Sequence, residues 1–125
     1  CWEIALKNQN TPSAIALSRQ KVPYINPKNS KENKCEKGAY VVNITSHENN
    51  VTLVASGTEV ELALKVQEKL KENNIHSKVV SMPCMELFDR QPENYRKDII
   101  EQDSLVITLE AGSVMSWQKY VKDKE

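Results

Sequence analysis

Short apolar runs and amphipathic stretches alternate along most of the chain, beginning just after Gly38. The apolar runs predict four strands, at 39–45, 51–56, 78–82 and 105–109. The stretches between them predict helices at 58–73 and 92–100, and the first turns of another helix at 117–121. From residue 51 onward, strands and helices take turns, which is typical of a doubly wound α/β domain with a mostly parallel sheet.

The first two of these strands are joined by the polar turn 46–50. A connection this short favours antiparallel pairing of the two strands. The sequence therefore predicts a three-layer α/β domain whose mostly parallel sheet carries one antiparallel edge strand.

The helix at 58–73 begins with Thr58 followed three residues later by Glu61, which is typical of a capping box. Its apolar positions form a wide arc that predicts burial against the sheet: Val60, Leu62, Ala63, Leu64, Val66 and Leu70. Charged residues occupy the opposite side, so this helix is expected to cover one face of the sheet.

The first 38 residues follow a different pattern. Residues 2–7 resemble the end of a helix, and the apolar run Ser13–Ser18 predicts a strand buried on both faces. The polar, proline-containing stretch 23–38 predicts a linker. We therefore expect a helix–strand remnant of one α/β domain at 1–22, a linker at 23–38 and an incomplete second domain at 39–125, cut from a longer protein.

Composition excludes several classes of function. The 125 residues include 17 basic and 17 acidic side chains, so the net charge is zero and no basic surface for nucleic acid is expected. No apolar run approaches the roughly 20 residues needed to span a bilayer, and the N-terminus lacks the features of a signal peptide. A soluble, cytoplasmic protein is the expectation.

The turn Gly57-Thr58 lies between a strand and a helix, as in phosphate-binding loops. It has a single glycine, so neither of the glycine-rich phosphate-binding patterns is met. Glu59 and Glu61 would also repel a phosphate there, which favours simple helix capping.

The histidines and cysteines favour structural roles. His47 and His76 have no ligand-type residue at suitable spacing, so both are expected at the surface. The three cysteines lack C-x-x-C spacing and are expected as reduced thiols. Cys35, close to Lys34 and Lys37, is the one whose thiol could be acidified.

Two charged residues follow predicted buried strands, at the sheet edge where α/β folds bind ligands. For Glu110, a structural role is favoured, in which the carboxylate accepts hydrogen bonds from backbone N–H groups of a neighbouring loop. Arg19 is the preferred binding residue, because a guanidinium fits phosphate oxygens bidentately. An interdomain salt bridge of Arg19 to a carboxylate is an equally weighted alternative.

Four motifs, in order along nearly the whole chain, resemble the transketolase family. The segment Ala16–Pro23 contains the family's LSRQ sequence, and Ser56–Ala63 is similar to its S-G-S/T-E-V helix start. The remaining two are Val79–Pro83 with Phe88, Gln91 and Tyr95, and Glu110–Gly112 with Trp117 and Lys119–Val121.

This resemblance implies a fragment that comprises the end of the family's pyrimidine-binding domain at 1–22 and most of its C-terminal domain at 39–125. The parent would be an enzyme that transfers a two-carbon ketol unit from a ketose phosphate to an aldose phosphate. Such enzymes are cytoplasmic homodimers of the pentose phosphate pathway that use thiamine diphosphate with Mg²⁺ or Ca²⁺. The arginine of LSRQ contacts the sugar phosphate, which implies that role for Arg19. No catalytic, cofactor-binding or metal-binding residue carries over to this chain.

The family's diphosphate- and metal-binding segment, its activating glutamate and its substrate histidines are absent from the sequence. The 125 residues alone are therefore expected to be inactive. Alternatives are a dihydroxyacetone synthase, a noncatalytic assembly or regulatory domain of a transketolase-like protein and, less favoured because of the LSRQ motif, the β subunit of a 2-oxoacid dehydrogenase.

Overall fold

The computed structural model describes residues 1–25, 32–46, 48–100 and 103–121. Its helices and strands, in chain order, are α1 (Trp2–Lys7), β1 (Tyr40–Ile44), β2 (Val51–Ala55), α2 (Glu59–Glu72), β3 (Ser77–Ser81), α3 (Met85–Asp89), α4 (Glu93–Ile99) and β4 (Leu105–Leu109). Short 3-10 helices are present at Lys34–Lys37 and Met115–Tyr120. Within these ranges, no helix is both long and apolar enough to cross a membrane.

The four strands form one mixed sheet in the order β1–β3–β2–β4. β3 and β4 each pair with β2 in parallel, whereas β1 pairs with β3 in antiparallel orientation. The predicted fold class, an α/β domain with a mostly parallel sheet and one antiparallel edge strand, is confirmed.

The predicted pairing of β1 with β2 is wrong, because β3 lies between them. Thr45 and Asn50, near the two ends of the connection, both hydrogen-bond to the start of β3. The Thr45 N–H donates to the Ser77 carbonyl at 3.0 Å, and the Asn50 N–H donates to the His76 carbonyl at 3.0 Å. Strand β3, which comes later in the chain, thus pairs with β1. The length of the connection between β1 and β2 could not predict this insertion.

The two central strands are buried on both faces of the sheet. On one face, Leu53 and Val79 pack with Val60 and Ala63 of α2. On the other face, the buried cluster includes residues from β2, β3, α3, α4 and the second 3-10 helix: Val54, Val80, Phe88, Ile99 and Trp117. This double coverage explains the uninterrupted apolar runs in the sequence.

Helix α2 matches its predicted range, but its predicted capping box is wrong. Gly57, at φ 55°, turns the chain out of β2 in the left-handed region, which favours glycine. Thr58 then already has helical backbone angles, φ −67° and ψ −28°, whereas a capping side chain needs an extended backbone. Its hydroxyl donates to the Glu59 carboxylate at 3.0 Å and makes no side-chain cap.

The buried side of α2 also differs from the predicted apolar arc. Leu62 is 52% exposed, whereas Gln67 is only 2% exposed. The Gln67 side-chain amide donates to the Ser77 carbonyl at 2.9 Å, and its Oε1 accepts from Asn43 Nδ2 at 2.9 Å. These bonds connect α2 to β1 and β3, and they allow a polar side chain to be buried.

In the N-terminal region, α1 forms as predicted but the strand predicted at Ser13–Ser18 does not. No strand is assigned in the described residues before β1, and Leu17 is 73% exposed. A buried strand needs partners for its backbone N–H and C=O groups. Neither β1 nor β4, the outer strands of the described sheet, pairs with this run, so the predicted helix–strand remnant is a helix followed by chain without regular secondary structure.

Smaller differences concern the connecting segments. α3 was not predicted, and the helix expected from residue 117 is a 3-10 helix. The predicted linker 23–38 contains the first 3-10 helix near its end, while residues 26–31 and His47 lie outside the described residues.

Strand β4 forms one end of the described sheet. Its residues Leu105 and Ile107 are in register with Val51 and Leu53 of β2, on the face that α2 covers. They nevertheless remain 47% and 41% exposed, so α2 does not fully cover this end of the sheet.

Candidate functional site

An open groove of about 430 Å³ lies at the carboxyl edge of the parallel strands. It is lined by residues that follow β2, β3 and β4 and by Ala14 from the N-terminal segment. The polar members are Ser56, Cys84, Glu86, Glu110, Ser113 and Ser116. Crevices at this edge commonly bind ligands in open α/β sheets. Since neither lysine nor arginine is among the described residues that line the groove, these residues offer no charge complementarity for a phosphate.

Glu110 organises the loop that closes one side of the groove. Its Oε1 accepts a 2.7 Å hydrogen bond from the Gly112 backbone N–H, and its Oε2 accepts a 3.0 Å bond from Trp117 Nε1. Trp117 is itself 3% exposed and belongs to the core. The carboxylate therefore ties the loop after β4 to the core. This is a structural role, as the sequence favoured, but its donors are a backbone N–H of the same loop and the Trp117 indole and not a neighbouring loop.

The opposite side of the groove is formed by the start of α3. The Cys84 thiol donates to Glu86 Oε2 at 3.4 Å. The pKa of Glu86 lies below its ordinary value, first because its own backbone N–H donates to the carboxylate and then because of the thiol. Both effects keep Glu86 charged, which further disfavours anions in the groove.

A second polar cluster joins α3 to the second 3-10 helix. Asp89 forms an ion pair with Lys119 and accepts a 2.7 Å hydrogen bond from the Tyr120 hydroxyl. Burial alone would raise the pKa of Asp89, but the hydrogen bonds from Lys119 and Tyr120 outweigh it and lower that pKa. Sequence reasoning missed this cluster because its members are far apart in the chain and α3 itself was not predicted.

Arg19 lies in the segment after α1 that has no regular secondary structure, at a bend of the chain. Its side chain is exposed, and it is not among the residues that line the groove. Across the described ranges, no carboxylate lies within ion-pair distance of Arg19. Its two candidate roles, phosphate binding and an interdomain salt bridge, stay predictions.

The remaining candidates have no ligand geometry. His76 is exposed, and its backbone carbonyl accepts a hydrogen bond from the Asn50 N–H just before β2. Cys1, Cys35 and Cys84 are free thiols. In the part of the chain that the structure describes, no three His, Cys, Asp or Glu side chains converge as a metal site would require.

Comparison with known proteins decides the family. Residues 38–125 match the model of the transketolase-like TK C-terminal domain. The chain belongs to the transketolase family. The transketolases of Rhodobacter capsulatus and Aquifex aeolicus are both 42% identical to it, over 120 and 122 residues. Each match covers 96% of this chain, and the chain spans only 18% of either relative.

Solved transketolases share the fold as well as the sequence. The Campylobacter jejuni enzyme superposes with a TM-score of 0.83 at 38% identity, covering 96% of this chain and 18% of that one. A variant of the Pichia stipitis enzyme gives a TM-score of 0.87 at 29% identity over 97% of this chain and 18% of its own. These transketolase matches include the N-terminal segment, and they favour the family assignment over a noncatalytic module of another kind.

Proposed function

We propose that this chain is part of a transketolase, which transfers a two-carbon ketol unit from a ketose phosphate to an aldose phosphate. The observation that carries the proposal is that relatives named transketolase match 96% of the chain at 42% identity. Solved structures of the Pichia stipitis enzyme, 30% identical over 71% of this chain, are described as complexes with fructose-6-phosphate and sedoheptulose-7-phosphate. Those names support phosphorylated ketoses as the substrate class.

The proposal is tested on the full-length polypeptide that contains this sequence. Purified with thiamine diphosphate and Mg²⁺, it is expected to convert a ketose phosphate and an aldose phosphate into products whose chain lengths differ by two carbons. Release of two-carbon units without transfer, or no turnover with any phosphorylated sugar pair, would contradict the proposal.

Within that enzyme, Arg19 is the residue proposed to contact the substrate phosphate. Its exposed guanidinium is available to a ligand, and the described lining of the groove beside Glu110 includes neither lysine nor arginine. In the full-length enzyme, Arg19→Gln is expected to raise KM for phosphorylated donors about 10- to 100-fold, through loss of a charge-assisted hydrogen bond. Unphosphorylated ketol donors should be spared.

Lys21→Gln is the matched control, since Lys21 is an exposed cation two residues further on. It is expected to leave both donor classes unchanged. If Arg19→Gln weakened phosphorylated and unphosphorylated donors equally, the arginine would instead have the structural role of an interdomain salt bridge.

We also propose that other segments of the parent hold the thiamine diphosphate and its Mg²⁺ or Ca²⁺. Among the described residues, no three His, Cys, Asp or Glu side chains could hold a metal ion, and the described lining of the groove at the sheet edge contains no lysine or arginine. The purified 125-residue chain is accordingly expected to show no turnover and no calorimetric heat with thiamine diphosphate and Mg²⁺. Saturable binding of the cofactor to this chain would contradict the assignment.

The organisation of the parent is proposed on the same basis. The end of a pyrimidine-binding domain at 1–22, a linker at 23–38 and a C-terminal domain at 39–125 accord with a family match that begins at residue 38. A cytoplasmic homodimer is proposed from the family resemblance. Light scattering of the full-length protein tests the dimer, and fractionation of cells tests the compartment.

A further inference from the structure

Residues 33–39 contact α1 on one side and helices α3 and α4 on the other. The segment comprises Asn33, the first 3-10 helix, Gly38 and Ala39. In the sequence it is the end of a polar stretch that predicts a linker. Its contacts decide whether it acts as a flexible tether or as a fixed connection.

The side facing α1 is polar. Asn33 Nδ2 donates to Glu3 Oε2 at 3.0 Å, and Lys7 Nζ lies 3.9 Å from Glu36 Oε1. Glu3 and Lys7 are also paired with each other along α1, at 2.6 Å. One face of α1 is thereby joined at two points to the segment that follows the undescribed residues 26–31.

The other side of the segment faces the sheet domain, which is the four-stranded sheet with its packed helices from β1 onward. Contacts on this side centre on Tyr95 of α4. Its hydroxyl donates to the backbone carbonyl of Ala39 at 2.8 Å. The ammonium group of Lys37 lies 4.7 Å from the centre of the Tyr95 ring, within the range of a cation–π contact. The same ring packs edge-on against Phe88, at 6.4 Å between centroids, so the contact is anchored in the core.

Gly38 closes this side by direct backbone contact. At φ 80° it has a conformation that side chains rarely adopt, and a Cβ atom there would lie 2.2 Å from the Phe88 nitrogen and 2.4 Å from the Cys84 oxygen. Its carbonyl accepts from the Cys84 N–H at 3.1 Å. The backbone at Gly38 therefore packs directly against the backbone of α3 and of Cys84, the residue before it, which fixes the position of the chain where it joins the sheet domain.

From these contacts we propose that residues 33–39 form a strap, a fixed connection that holds α1 in a set orientation against the sheet domain. The backbone contact of Gly38 and the hydrogen bond of Tyr95 attach the strap to the sheet domain. The contacts of Asn33 and Glu36 attach the strap to α1. The segment that carries Arg19 follows α1 directly, so the strap also limits where that segment can lie. The inference is independent of the enzymatic activity.

The test is ¹⁵N relaxation of the 125-residue chain. If the strap holds α1, the amides of Ile4, Ala5 and Leu6 should have order parameters of about 0.8, close to those of α2. They should also share the rotational correlation time of the sheet domain. Order parameters below about 0.6 in α1, with α2 rigid, would overturn the proposal.

Variants separate the strap from general stability. Asn33→Ala combined with Glu36→Ala is expected to lower the α1 order parameters while the α2 and sheet amides keep their chemical shifts. Glu93→Ala combined with Lys97→Ala is the control, because it removes an exposed ion pair of α4 that does not contact the strap. The strap would be refuted if the first variant left α1 as ordered as it is in the parent chain. It would also be refuted if the control lowered the α1 order parameters by the same amount.

Discussion

The Tyr120 hydroxyl donates to the Asp89 carboxylate at 2.7 Å, and the Tyr120 ring packs 5.8 Å from that of Phe88. The polar end of this residue thus holds α3 to the second 3-10 helix, while its ring belongs to the edge of the core. Burial first, and then the hydrogen bond to Asp89, raise the pKa of Tyr120 to about 12.

The raised pKa of Tyr120 predicts a loss of stability at high pH. An unfolded tyrosine loses its proton near pH 10, whereas the folded one keeps it to about 12, so its stabilising contribution is complete below pH 10 and disappears between these values. Urea unfolding between pH 9 and pH 12 should show this decline, and Tyr120→Phe should remove part of it. An identical pH profile for the variant would contradict the assignment.

Gly38 should be the least replaceable glycine. Gly38→Ala combines a left-handed backbone with a Cβ placed 2.2 Å from the Phe88 nitrogen, and it is expected to lower the free energy of unfolding by about 3 kcal/mol or more. Gly112→Ala is the control, because its Cβ would meet only the Glu110 side chain at 3.1 Å. Its cost should be roughly 1 kcal/mol or less by chemical denaturation. Equal costs would argue against the backbone contact.

Gln67 should contribute to stability although glutamine is usually found at protein surfaces, because its side chain is buried. Gln67→Leu would leave the Asn43 side-chain amide without its acceptor and would remove one donor from the Ser77 carbonyl, which keeps the Thr45 N–H, at an expected cost of about 1 to 3 kcal/mol. The neighbouring exposed Glu68→Leu should stay within about 0.5 kcal/mol of the parent chain. A neutral Gln67→Leu in equilibrium unfolding would show that the network contributes nothing to stability.

Glu110 should act on the loop that closes the groove. Glu110→Ala removes the acceptor of both Trp117 Nε1 and the Gly112 N–H, with an expected loss of about 1 to 3 kcal/mol. Measured in a Trp2→Phe background, the fluorescence of Trp117 should shift to longer wavelength as its indole gains access to water. Glu86→Ala, at the other side of the groove, should leave that emission unchanged.

The elements that sequence reasoning located well are those whose pattern is local. The Leu105–Leu109 run and the amphipathic stretch of α2 carry their own periodicity, and the structure places both within a residue of the prediction. The partner of β1 was predicted wrongly, because β3 comes later in the chain and takes the place beside β1. The strand predicted at Ser13–Ser18 failed for a related reason, since an apolar run becomes a strand only where a neighbour satisfies its backbone.

The candidate site was predictable only in outline. The sheet edge and the structural role of Glu110 followed from the strand order, whereas the Asp89–Lys119–Tyr120 cluster depends on how α3 and the second 3-10 helix meet. The buried position of Gln67 likewise depends on Asn43 and Ser77, which supply its hydrogen bonds. Arg19 remains a prediction drawn from a motif, because the described contacts assign it no partner.

The exposed side chains of β4 have a consequence for handling the chain. Leu105 and Ile107 stand at the end of the described sheet, beside backbone groups that have a ladder partner only on the β2 side. An apolar strand with one free edge is a template for another strand of the same kind. At high concentration, the 125-residue chain is therefore expected to self-associate through Leu105–Leu109. Ile107→Lys should keep the chain monomeric at higher concentration.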